Sequence, residues 1–244
     1  MTGIQTMNKP HLILVPGLMC DQASWLPIVP AVSEFAQCEV VSHGSADSLV
    51  RMAKQILHTA PSRFALAGHS MGGRVALEVM RLAPERVTHL GLLGTGYRAK
   101  PEGVRGEEET RKRMALLHIA QTQGLRAMAF EWVQNMVAPH RLQDATLIEQ
   151  VLVMFEQKTV PIFQHQIKAL LERPDASDVL TQVHVPTLVM AGEFDAWASP
   201  QQHQEIADLI PAQPDVKVIH GAGHMMMMEA PQAVAAEFAA WLRA

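Results

Sequence analysis

The sequence predicts an α/β fold, a mostly parallel sheet with helices on both faces and a helical insertion. Three observations lead there. Short apolar runs rich in Val, Leu and Ile recur along the chain, as expected of parallel strands buried on both faces. Longer segments of helical periodicity separate them, and parallel pairing needs such crossovers. The alternation then breaks over residues 97–181, where helical spacing continues without a convincing strand.

Strands are expected at 12–15, 39–41, 64–67, 90–93, 187–191 and 217–219, and core helices at 49–58, 71–82, 200–209 and 231–242. The helix at 200 has the clearest start, because Ser199 can cap it and Pro200 fits a first position that needs no N–H. Within the break, Glu107/Arg111, Glu108/Lys112 and Glu109/Arg113 are i,i+4 pairs with the acid first. That order favours an exposed helix face. Leu147, Val151, Met154 and Phe155 recur at helical spacing, as do Val160, Phe163, Ile167, Leu170 and Leu171. Strand signals resume after Pro186. The expected organisation is therefore a core of residues 1–96 and 182–244, with a helical cap at 97–181 over the carboxyl edge of the sheet, where open α/β sheets bind ligands.

Composition narrows the function. A chain of 244 residues, 48% of them hydrophobic, suits one large domain or one domain carrying an insertion. Twenty Lys and Arg against 24 Asp and Glu leave a net charge of −4, without the basic footprint of a nucleic-acid binder. Cys20 and Cys38 are too few for a disulfide scaffold and lack metal-ligand spacing, so a reduced, cytoplasmic setting is expected. The polar start and the short apolar stretch broken by Pro16 and Gly17 do not read as a signal peptide. No run approaches the roughly 18 apolar residues of a membrane span. Neither a membrane nor a nucleic-acid partner is expected, and oligomeric state leaves no mark on the sequence.

The chemistry concentrates in Gly68-His69-Ser70-Met71-Gly72, a G-x-S-x-G segment directly after a strand and directly before a helix. A serine at such a turn projects its hydroxyl at the sheet edge, and small residues on either side avoid collision with neighbouring backbone. A hydroxyl is a weak nucleophile near neutral pH, so Ser70 needs a base and an orienting carboxylate. Asp195 follows one late strand, and His224 lies in a glycine-flanked loop after the next. The order Ser70, Asp195, His224 is the one this architecture uses. Glu193, two residues before Asp195, is a second carboxylate, and His220 a second histidine. Acyl transfer also needs two oxyanion donors. The backbone N–H groups of Leu18, in the loop after the first strand, and Met71 are the candidates.

With these motifs the whole chain resembles the α/β-hydrolase superfamily, in the branch of small lidded carboxylesterases, enol-lactone hydrolases and carbon–carbon bond hydrolases. Pro16-Gly17-Leu18 through Trp25, Gly68 to Gly72, Gly192-Glu193-Phe194-Asp195 and Gly223-His224 carry the resemblance. Pro16 departs from the pattern, since relatives commonly have there a His that fixes the oxyanion loop. Ser70 stands where dehalogenases and many epoxide hydrolases carry Asp, which argues against both activities. The resemblance implies hydrolysis of an ester or lactone of a small, mostly apolar acid, with no metal or organic cofactor. Carbon–carbon bond hydrolysis, a lyase or transferase reaction on the same triad, and ligand sensing without catalysis are the alternatives, because fold does not fix chemistry. Trp132, Met136, Phe155 and Phe163 of the insertion, with Met225, are candidate substrate-binding residues. Met225 to Met228 suit an adaptable pocket wall or plain core packing equally, and Cys20 reads as an ordinary buried cysteine.

Overall fold

A computed structural model describes residues 9–244; the polar start at 1–8 lies outside the described residues. Six parallel strands form one sheet: β1 (His11–Val15), β2 (Gln37–Val40), β3 (Phe64–His69), β4 (Val87–Leu93), β5 (Thr187–Gly192) and β6 (Val216–Ile219). Their order is β2-β1-β3-β4-β5-β6. Chain direction across the sheet therefore reverses beside β1, the place where ligands bind in open α/β sheets.

Side-chain alternation along each strand builds two apolar layers. Ile13, Val15, Leu66 and Val189 join one buried cluster, while Leu12, Leu14, Ala65, Ala67, Leu188 and Met190 join the other. Helices α1 (Leu49–Thr59) and α2 (Met71–Leu82) cover the first face through Leu49, Met52, Ile56 and Val75. Four longer helices follow β4: α3 (Gly103–Gln123), α4 (Leu125–Val133), α5 (Ala145–Glu156) and α6 (Val160–Leu171). Their residues Leu117, Met128, Phe155 and Phe163 belong to the same cluster as the first face. Helix α7 (Pro200–Leu209) opens with a capping box between Ser199 and Gln202. Helix α8 (Pro231–Trp241) covers the second face with Val234, Phe238 and Trp241. Among the described residues no helix is long and apolar enough to cross a membrane.

The expected strands and core helices all form, with bounds that shift where apolar content is a poor guide. β3 runs two residues beyond its apolar run because Gly68 pairs with Val15 and Leu92, and His69 with Leu93. β2 is an edge strand of alternating exposure, and it begins earlier than its apolar residues suggest. One expectation fails. The acid-first pairs on α3 do not make a uniformly solvated face: Glu108–Lys112 and Glu109–Arg113 form at 2.9 Å, but Glu109 also takes the buried Arg173 at 2.7 Å. Spacing along one helix cannot register a partner from another.

The packing of α2 against β1 yields a direct test. A Cβ on Gly72 would collide with the Val15 carbonyl oxygen and lie 2.7 Å from that of Pro16, and both are backbone atoms that cannot move aside. Gly72→Ala is expected to lose about 3 kcal/mol or more in urea unfolding, the upper end for an overpacked site. Gly44→Ala, with no atom within 4 Å, is expected to lose about 1–2 kcal/mol, from its left-handed backbone alone.

Candidate active site

Ser70 joins β3 to α2 with φ 55° and ψ −116°, a conformation few non-glycine residues adopt. Hydrogen bonds to β4 and its loop hold it there. The Ser70 N–H donates to the Leu93 carbonyl at 2.9 Å, and its own carbonyl accepts from Thr95 Oγ1 at 2.7 Å. The flanking glycines are sterically required, since a Cβ on Gly68 would lie 2.6 Å from the Gly73 nitrogen and fall onto the Gly72 carbonyl.

Asp195 lies in the turn after β5, and its Oδ2 accepts from His224 Nδ1 at 2.7 Å. Its Oδ1 accepts from the Trp197 and Ala198 amides, each at 2.9 Å. Burial opposes the carboxylate charge, but the His224 ring and those amides hold Asp195 below its ordinary value. With a proton on Nδ1, Nε2 is left as the basic nitrogen of His224. His224 and Ser70 line one cavity of about 550 Å³. Among the described residues no hydrogen bond joins the two, and such bonds commonly tighten only with substrate present. The rival groups face elsewhere. Glu193 accepts from the Gly221 amide at 2.9 Å and sits 3.5 Å from His220, whose side chain is 87% exposed.

Leu18 and Met71 both line the cavity. Among the described residues neither N–H is taken by a protein acceptor. Pro16 does not leave the loop loose. His43 Nε2 donates to the Pro16 carbonyl at 2.9 Å, and the Met19 N–H donates to Gln166 Oε1 at 2.8 Å. Met19 itself has φ 62°, so this bond restrains a strained residue. Asp21 adds an ion pair with Lys158. The anchor thus comes partly from α6 and the residues before it. Cys20 also borders the cavity, but burial pushes its thiol up to about 12, which makes it a poor source of thiolate.

The cavity has an apolar wall, with Leu116, Trp132, Met136 and Leu170, and a charged end, with Arg74, Arg105, Lys112, Arg113 and Arg173 beside Glu108 and Glu109. Of the expected binding residues, Trp132 and Met136 are on this wall. Phe155 and Phe163 instead stand behind the Trp132 ring, at 5.5 and 5.9 Å, and are fully buried. Met225 to Met228 are all buried, divided between the two apolar clusters. They pack the core and do not border the cavity. Trp132 also packs 5.6 Å from Trp197, which sits 4.9 Å from the His224 ring.

Sequence reasoning missed several polar residues. Glu229 is buried and accepts the amides of Ala138, Gly223 and Met225 at 2.7–3.0 Å, which fixes both sides of His224. His203 Nε2 accepts the Thr95 amide at 3.1 Å while Nδ1 donates to Ser199. Gln166 lies in an apolar helical stripe between Phe163 and Leu170. A polar residue inside such a stripe is the available signal, because a buried polar group requires a partner.

The sequence model of the alpha/beta hydrolase family matches residues 12–237. The pimeloyl-[acyl-carrier protein] methyl ester esterase of Photobacterium profundum is 26% identical over 230 residues, 91% of this chain and 90% of that protein. Among solved structures, a thermophilic esterase from Thermogutta terrifontis superposes with a TM-score of 0.82 at 25% identity, covering 97% of this chain and 90% of that one. The enol-lactonase of Burkholderia xenovorans LB400 superposes with a TM-score of 0.84 at 19% identity, over 99% of this chain and 94% of that one, a likeness of fold.

Three mutational outcomes follow from this geometry. Gln166→Leu strands the buried Met19 N–H, which costs about 1–3 kcal/mol, and is expected to lower kcat for a simple aryl ester more than it raises KM. Unchanged kcat would free the loop from that contact. Trp132→Ala and Met136→Ala are expected to reorder kcat/KM across straight-chain esters from acetate to octanoate, with each methylene worth about 1–3 kcal/mol. Phe155→Ala and Phe163→Ala leave cavities behind the wall and are expected to lower stability by about 3–5 kcal/mol, seen as a lower melting temperature.

Proposed function

The chain belongs to the alpha/beta hydrolase family, and on that premise we propose that it is a serine hydrolase cleaving esters or lactones of small acids through an acyl-enzyme. The observation that carries this reading is the buried Asp195–His224 pair beside a serine held in a strained strand-to-helix turn. Residues 97–181 act in this reading as a cap on a core of residues 1–96 and 182–244. The esterase named among the relatives at 26% identity supports the reaction class.

Ser70 Oγ attacks the carbonyl carbon while His224 Nε2 takes its proton. The oxyanion so formed accepts from the Leu18 and Met71 N–H groups, which no protein acceptor competes for among the described residues. Collapse breaks the bond to the alcohol oxygen, which leaves with the proton from His224. Water then attacks the acyl-enzyme, giving its proton to the same nitrogen, and collapse breaks the acyl–Oγ bond as His224 returns that proton to Ser70 Oγ and the acid leaves. Asp195 keeps Nδ1 protonated and stabilises the imidazolium throughout, fixed by three hydrogen bonds. Protein groups carry every step. The apolar wall of Leu116, Trp132, Met136 and Leu170 suits hydrocarbon.

A fluorophosphonate is expected to add one phosphonyl group, at Ser70, by intact-mass and peptide analysis; a label elsewhere, or none on folded protein, rejects the nucleophile. Asp195→Asn is expected to fold and to lose on the order of 10⁴ in kcat, as an amide favours the wrong ring tautomer. Glu193→Gln is expected to lose far less, because its carboxylate serves Gly221 and His220.

A further inference from the structure

We propose that the charged end of the cavity is a carboxylate-binding subsite centred on Arg74, so that the ester or lactone cleaved here carries a carboxylate of its own. The proposal rests on the serine-hydrolase reading for its substrate and on the arrangement of guanidinium groups for its site.

Arg74 is four residues after Ser70 on the helix that Ser70 opens, and both border the cavity. Its Nη1 donates to the Arg98 carbonyl at 2.8 Å, and Gly96 leaves room for the rest of the fork, since a Cβ there would stand 2.7 Å from Nη2. Among the described residues Arg74 forms no ion pair. The acids around it are already engaged. Glu109 receives Arg173 through two bonds, at 2.7 and 2.8 Å, and Arg113 at 2.9 Å. Lys112 takes Glu108 at 2.9 Å. The Asp175 carboxylate accepts the amides of Ser177 and Ala99.

Two guanidinium groups thus share Glu109, and Arg74 is a third cation beside them with no carboxylate of its own. Burial, and next the charge of Arg173, push Arg74 down to about 9, the direction expected of a cation short of an anion. A substrate carboxylate would supply the missing charge and accept two parallel N–H bonds from the fork. Ser70 and Arg74 line one cavity four residues apart, so a substrate that reaches both is expected to be the half-ester of a short dicarboxylic acid. The mostly apolar acid expected from sequence becomes an acid with an apolar middle and a charged end.

The test compares monoethyl glutarate with ethyl pentanoate, which replaces the free carboxylate by a methyl group. The folded protein is expected to prefer the glutarate half-ester at least roughly tenfold in kcat/KM, and Arg74→Gln to reduce that ratio roughly 10- to 100-fold, the range for a hydrogen-bonded charge. Arg74→Lys keeps the charge without the fork and is expected to fall between. Melting temperatures confirm that each variant is folded. Turnover of both esters with no preference, or a ratio that Arg74→Gln leaves unchanged, rejects the subsite while the esterase reading stands. If neither ester is turned over and no phosphonyl adduct forms at Ser70, the catalytic reading fails and calorimetry with glutarate decides the subsite. Glutarate binding that Arg74→Gln removes supports it. No binding, binding equal in the variant, or inorganic phosphate binding as tightly as glutarate overturns it.

Discussion

The close approach of α2 to the end of β1 is the constraint from which the rest of the site follows. Gly72 lies against the Val15 and Pro16 carbonyls, Gly68 against Gly72 and Gly73, and Gly73 against Thr95, all too near for a side chain. Only with these contacts can the chain turn from strand to helix within one residue, and Ser70 absorbs the cost as a positive φ. The same contacts bring the Leu18 loop, which follows Pro16, beside the start of α2, so that two unengaged N–H groups meet at one cavity. The strained serine and the two N–H groups proposed as its oxyanion pocket are therefore products of a single packing solution, not separate features added to the sheet.

The inserted helices take part in that arrangement. Their apolar residues are continuous with one face of the sheet, so they have no separate core to stabilise them. Gln166 holds the Met19 amide, Lys158 pairs with Asp21, and Trp132 packs against Trp197 beside His224. Glu229 makes the reciprocal connection, taking the Ala138 amide after α4 together with Gly223 and Met225 around His224. Any movement of these helices away from the sheet would break contacts on the loop after β1 and on the His224 loop. The loop after β1 is anchored by two residues distant in sequence, His43 and Gln166.

Whether a feature was legible in the sequence depended on whether it is local. The strand-to-helix turn, the cap at Ser199 and the length of α2 are all written within a dozen residues, and each was readable from spacing. The Asp195–His224 pair was legible because each residue follows a strand, and parallel strands deliver their carboxyl ends to one edge. Arg74, Gln166 and Glu229 were not legible, since their meaning lies in partners from other elements. Glu109 shows the limit well. On its own helix it reads as half of a surface ion pair, and only Arg173, 64 residues later, draws it inward.

Electrostatics then separates one histidine from its neighbours. His43, His69 and His203 are buried beside the site, and burial is the leading cause that lowers each below the ordinary imidazole value, His69 to about 3. Their hydrogen bonds agree with neutral rings: His43 and His69 donate Nε2–H to the Pro16 and His224 carbonyls, while His203 donates from Nδ1 and accepts at Nε2. A cationic His69 would draw on the Asp195 charge, since both groups flank Gly94, where an added Cβ would stand 3.2 Å from His69 Nε2 and 3.3 Å from Asp195 Oδ2. Kept neutral, it leaves the Asp195 charge to His224. The carboxylate then acts on the imidazole it is bonded to, and the three neutral rings around it serve as supports for the loops on which the proposed oxyanion donors and base sit.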